Sequence, residues 1–180
     1  GGFLSDKGGR IEVRRSRLVG KEGDSLAGIT AAVPDELLIV NSTIREFQQQ
    51  AINVLNGPVT VRNSDIRSNG MGVKLIVNAS THATRIESTQ FEENETALRS
   101  VGAENVSIVD STITRSESNA LVVVGGAVQL RDSLVESVWA NGLVAREDAV
   151  VTVRDSEFDG NLDAGIQVEG PGARVNLGTA

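Results

Sequence analysis

One line of this chain is written seven times. A hydroxyl residue recurs at Ser16, Ser42, Ser64, Thr89, Ser111, Ser133 and Ser156, at steps of 26, 22, 25, 22, 22 and 23 residues. Three residues before each stands an aliphatic residue, as at Val13, Ile39, Val61 and Ile86, and two before that comes a second, usually aliphatic, column that includes Ile11, Leu37 and Val59. Two residues after each hydroxyl stands Leu18, Ile44, Ile66, Phe91, Ile113, Val135 or Phe158. Further on, each unit pairs a small residue with an apolar one, as in Gly28-Ile29, Ala51-Ile52, Gly72-Val73 and Gly165-Ile166. A fixed period of this length marks a solenoid, and missing it would misassign the whole fold.

Within a unit the five-residue step from Ile108 to Ile113 is odd. Strand alternation has period two, so two inward residues an odd distance apart cannot share one straight strand. The chain must bend between them, at Arg15, Asn41, Asn63, Ser88, Asp110, Asp132 and Asp155. Asn and Asp tolerate the left-handed conformation such a corner needs, so Asn41, Asn63, Asp110, Asp132 and Asp155 are expected as structural corners. Arg15 and Ser88 depart from that residue preference.

Each unit thus holds three short strands and no helix, and cannot close a core alone; it has to stack on its neighbours. Coils spaced like hydrogen-bonded strands would rise roughly 35 Å over seven units, with like residues piled in columns inside. The composition agrees. Aromatic residues are 3% of the 180, Gly reaches 19, and Val, Ile, Leu and Ala carry the hydrophobicity, a balance that suits strands and tight turns. The net charge of −7 supplies no basic stripe for phosphates, so no nucleic-acid partner is expected. There is no cysteine, which excludes disulfides and thiolate metal sites. No apolar run approaches the roughly 20 residues that span a bilayer, so membrane insertion is not expected.

The recurring V-x-V-x-[ND]-S-x-[IF]-x-x-N line, seen in VTVRNSDIRSN (Val59 to Asn69) and VTVRDSEFDGN (Val151 to Asn161) and followed by [GA]-[IVL]-x-V, resembles the right-handed parallel β-helix proteins of the pectate-lyase-like superfamily. The expected fold is all-β, a right-handed parallel β-helix of about seven coils of 22–26 residues with three short strands each. The resemblance also implies an extracellular or cell-surface location. It leaves activity open, because that superfamily includes lyases, hydrolases, epimerases, adhesins and tailspikes. Gly2-Phe3 opens on the third strand of an earlier coil and Val175-Asn176-Leu177 repeats Val151-Thr152-Val153. Residues 1–180 are therefore expected to be a single segment cut from a longer solenoid at both ends, with end-to-end self-association through uncapped coils as the alternative.

In the enzymes of that fold the substrate lies along the outside of one sheet. The corresponding row here is Thr30, Asn53, Lys74, Arg99, Val122, Val144 and Gln167. A lyase site would combine carboxylates for calcium with a basic residue that removes a proton; Lys74 and Arg99 are the only fragment of that pattern. Lys74, Arg99 and Gln167 are candidate glycan contacts. Trp139, in the loop SVWAN, is a fourth: it either offers a sugar-stacking platform or covers the apolar edge of its own coil. Asp110, Asp132 and Asp155 would stack about 4.8 Å apart, which calls either for a bridging calcium ladder or for local screening by Arg131 and Arg154. His82, in the turn STHAT, reads as an exposed turn residue.

No outer row assembles acid, base and metal ligands together. The expected function is therefore a non-catalytic extracellular or cell-surface segment, a rigid spacer or adhesive surface that holds polysaccharide or another protein, with no required cofactor. The alternative is a polysaccharide-active lyase, hydrolase or epimerase with its active coils outside this segment or at Lys74 and Arg99.

Overall fold

The computed structural model describes residues 3–5, 8–21, 26–77 and 82–178. Every regular element among them is a strand, and all strand pairs are parallel. They form three sheets of eight, eight and seven strands, and each coil contributes one strand to each sheet in turn. The first sheet comprises Phe3–Ser5, Ala27–Ala32, Gln50–Leu55, Met71–Ile76, Thr96–Val101, Leu121–Val124, Leu143–Arg146 and Ile166–Glu169. The second comprises Arg10–Arg14, Glu36–Val40, Val59–Arg62, Thr84–Glu87, Val106–Val109, Ala127–Arg131, Val150–Arg154 and Arg174–Leu177. The third comprises Arg17–Val19, Thr43–Arg45, Asp65–Arg67, Gln90–Glu92, Thr112–Thr114, Leu134–Glu136 and Glu157–Asp159.

The registers are those the repeat demands. Ile39, Val61, Ile86, Ile108 and Leu130 pair in succession in the second sheet. Leu18, Ile44, Ile66, Phe91, Ile113, Val135 and Phe158 do so in the third. In the first, Phe3 pairs with Ile29, which continues through Ile52, Val73 and Leu98; Gly2, read with Phe3 as the start of that strand, lies outside the described residues. From the second coil on, these columns form one buried core in which Ile39, Ile44, Ile66 and Ile113 are wholly inaccessible, with Leu18 and Phe158 half-buried against its ends. Burying one such aliphatic side chain is worth about 1.5–3 kcal/mol, and each coil can bury its own only because the next lies against it.

All seven expected corners are left-handed, with φ between 46° and 52°, including Arg15 and Ser88. The repeated hydroxyl is what closes them. Ser64 Oγ donates to Arg62 O at 2.9 Å and accepts the backbone N–H of Ser42 from the preceding coil at 3.2 Å. Ser111 and Ser133 repeat the pattern: Ser133 Oγ donates to Arg131 O at 2.7 Å and accepts from Ser111 N at 3.1 Å. The side chain thus pairs a backbone N–H that the bend leaves outside the strand ladder, at a buried position where an unpaired group costs about 1–3 kcal/mol.

The small residue at the start of the first-sheet strand also has a reason. A Cβ on Gly72 would lie 2.5 Å from Ala97 O and 2.9 Å from the ring of Phe91, so the chain enters the sheet pressed against the core aromatic. Even the methyl group of alanine would force the backbone to shift at this position.

Candidate functional site

Lys74 and Arg99 stand side by side on paired strands of the first sheet, with Asn53 on the other side of Lys74. Neither cation forms an ion pair among the described residues. The row does not continue as a solvated surface. Val122 is 7% exposed and Val144 is fully buried, although both alternate outward. By register they adjoin each other, with outward Val101 and Val124 beside them, and β-branched side chains at strand spacing shield one another. Gln167 follows Val144, so this apolar stretch separates it from Arg99. The basic pair and Gln167 are not one contact surface.

Asp110, Asp132 and Asp155 are exposed corner residues with φ of 49°, 49° and 48°. Arg131 Nε lies 3.2 Å from Asp132 Oδ2, which supplies the local screening the sequence suggests at that corner. Among the described residues no group of three or more His, Cys, Asp or Glu is arranged to hold a metal ion. His82 is exposed.

A second concave feature lies along the corner between the third and first sheets. It is an open groove of 790 Å³ running across several coils. Backbone hydrogen bonds align its two rims. Glu46 N donates to Ser68 O, and Glu93 N and Arg115 N continue that rim coil by coil. On the other side Gly70, Glu95, Glu117 and Trp139 fall in one column, tied by Glu95 N to Asn69 O at 2.9 Å, Glu117 N to Asn94 O at 3.0 Å and Trp139 N to Ser116 O at 3.0 Å. Gly70 holds the groove open: it has no side chain, and a Cβ there would lie 2.3 Å from Gln48 O.

Beneath the rims runs a buried amide ladder. Asn69 Oδ1 accepts Phe47 N at 3.0 Å, Asn94 Oδ1 accepts Asn69 N at 3.1 Å, and Asn94 Nδ2 donates to Ile66 O at 2.8 Å. The terminal N of the repeated line is this ladder. It fixes the groove floor while the rims stay free to vary.

The groove is acidic. Arg115, its cation, contacts Glu92 and lies 3.3 Å from Glu93, and Glu46 is held by Arg45, so these charges are compensated locally. Glu95 and Glu117 form no ion pair among the described residues. Trp139 closes one end of the groove and is 71% exposed, so it does not cover its own coil. Leu162 follows it on the next coil at 75% exposure, extending the apolar end. The sequence reading singled out Trp139 and not the carboxylates, which come from successive coils and share no local motif.

A family model described as "Right handed beta helix region" matches residues 1–131. No curated protein and no solved structure gives a significant match.

Proposed function

The chain belongs to the right-handed β-helix family, and from that premise we propose that it is a non-catalytic, extracellular or cell-surface module that holds polysaccharide on a rigid solenoid. The observation that carries this reading is Trp139, 71% exposed at the end of a 790 Å³ groove lined by carboxylates. An indole face left bare beside fixed acceptors suits a pyranose, whose C–H face stacks on the ring while its hydroxyls donate to Glu95 and Glu117. Neutral or amino sugars fit the groove's charge. A uronate chain would meet like charges at hydrogen-bonding range, which costs about 1 kcal/mol per pair even in water.

The protein has one Trp and no Tyr, so its intrinsic fluorescence reports this site alone. Titration with neutral and amino-sugar oligosaccharides is expected to change that emission saturably, and oligogalacturonate is expected to leave it unchanged. A flat response to all of them would overturn the proposal.

The second reading is a polysaccharide-active enzyme, favoured by the adjacent and unpaired Lys74 and Arg99 on the outside of the first sheet. A cationic pair is suited to a uronate. Turnover of a polyuronate that disappears in Lys74→Ala would establish this reading and displace the first.

A further inference from the structure

The outward face of the third sheet separates charge along the coil axis. Its first three strands present Arg17, Arg45 and Arg67, and its last two present Glu136, Glu157 and Asp159. Between them Gln90, Thr112 and Thr114 are neutral, and Glu92 contacts Arg115. Arg67 Nε lies 3.2 Å from Asp65 Oδ2 and Arg45 contacts Glu46, while Arg17 and the three distal carboxylates form no ion pair among the described residues. Desolvation, and then the neighbouring Arg17 and Arg67, lower the pKa of Arg45 from its ordinary value, with Asp65 opposing them. Like charges are therefore crowded at each end of the face, and each end carries the sign that would relieve the other.

We propose that this face docks a second copy of the chain, antiparallel, about a two-fold axis that runs along strand Gln90–Glu92. That strand is the fourth of seven, so the axis exchanges first with seventh, second with sixth and third with fifth. It preserves position along each strand. Arg17 then faces the partner copy's Glu157 position, and Arg45 faces the Glu136 position. Arg67 and Asp65 meet the neutral Thr114 and Thr112 positions. Like charges meet only on the axis, Glu92 against itself, where each copy's Arg115 screens it. Such a self-complementary patch is what an isologous contact requires.

The strip is roughly 29 Å by 10 Å, from strand spacing and rise, well below the ~800 Å² per partner of a stable interface. The association is weak and salt-dependent, driven by complementarity more than by area.

Sedimentation velocity on the full 180-residue chain tests this. The expected result is a monomer–dimer equilibrium near millimolar protein in about 20 mM salt that reverts to monomer near 500 mM, where the screening length falls to a few ångströms. R17E/R45E puts carboxylates at the positions that face Glu157 and Glu136 of the other copy and leaves Arg67 beside Asp65, and E136R/E157R puts guanidiniums opposite Arg45 and Arg17 and leaves Asp159. Each variant alone is expected to self-associate at least ten-fold more weakly than the parent, and an equimolar mixture is expected to recover a heterodimer. Circular dichroism melts establish that both are folded, and the milder E136Q/E157Q is expected to weaken the dimer too. A parent that stays monomeric at low salt would overturn the proposal, as would charge variants that self-associate like the parent. Small-angle scattering that shows an end-to-end rod in place of a side-by-side pair would do the same.

Discussion

Asn69 and Asn94 lie on successive coils and are joined twice through one atom: Oδ1 of Asn94 accepts the side-chain Nδ2 of Asn69 at 2.9 Å and its backbone N–H at 3.1 Å. Asn69 also donates to Arg67 O at 2.9 Å and accepts Phe47 N at 3.0 Å. The pair fastens three coils through the floor of the acidic groove.

Asn69→Ala therefore strands the Phe47 N–H and leaves part of the Asn94 amide unmatched, at sites 4% and 1% exposed for the two asparagines. The expected cost is on the order of 3 kcal/mol in urea unfolding. Asn161→Ala, at a half-buried position that serves Val138 N at 3.3 Å and Val135 O at 3.3 Å, is expected to cost about 1 kcal/mol. Equal losses at both sites would show that burial does not govern the ladder.

Val33 holds φ of 49° at 53% exposure, a conformation that β-branched residues rarely adopt. Val33→Asn keeps the backbone donor to Leu55 O and removes the strain, and is expected to stabilise the protein by about 1 kcal/mol. A drop in the urea midpoint would show that the Val side chain makes packing contributions that outweigh its backbone.

Ile113 is fully buried between Phe91 and Val135. Ile113→Asp puts an unpaired charge into the column, with an expected loss above about 4 kcal/mol. Hydrogen exchange is expected to lose protection in the flanking coils as well as in the mutated one. A variant that melts like the parent would contradict the inward register.

The columns of all three sheets were legible in the sequence because each is a chemical constraint repeated at one period. Ile39 over Val61 and Ile44 over Ile66 are forced by the core, and Ser42 over Ser64 by the buried N–H it pairs. Arg15 and Ser88 show that position outranks preference: both take the left-handed corner that Asn and Asp fill elsewhere. The corner between the third and first sheets carried no such signal. It is held at positive φ by Glu46, Ser68, Glu93, Arg115 and Ser137, which have no shared local preference, so only the closed coil reveals it. The groove was hidden for a related reason. Glu95, Glu117 and Trp139 are 22 residues apart in sequence and adjacent only once the coils stack. The burial of Val122 and Val144 was equally invisible, since strand alternation alone places them outside.

Lys74→Ala with Arg99→Ala removes two outward side chains that form no ion pair among the described residues, so stability is expected to stay within about 0.5 kcal/mol of the parent. A larger drop would mean that their aliphatic stems cover the sheet.

The most direct measurement of the functional account is a glycan array probed with three folded proteins: the parent, Trp139→Ala, and the Lys74→Ala/Arg99→Ala double variant. The parent is expected to hold neutral or amino-sugar glycans, Trp139→Ala to lose them, and the double variant to keep them. Binding that survives Trp139→Ala and vanishes in the double variant would contradict it.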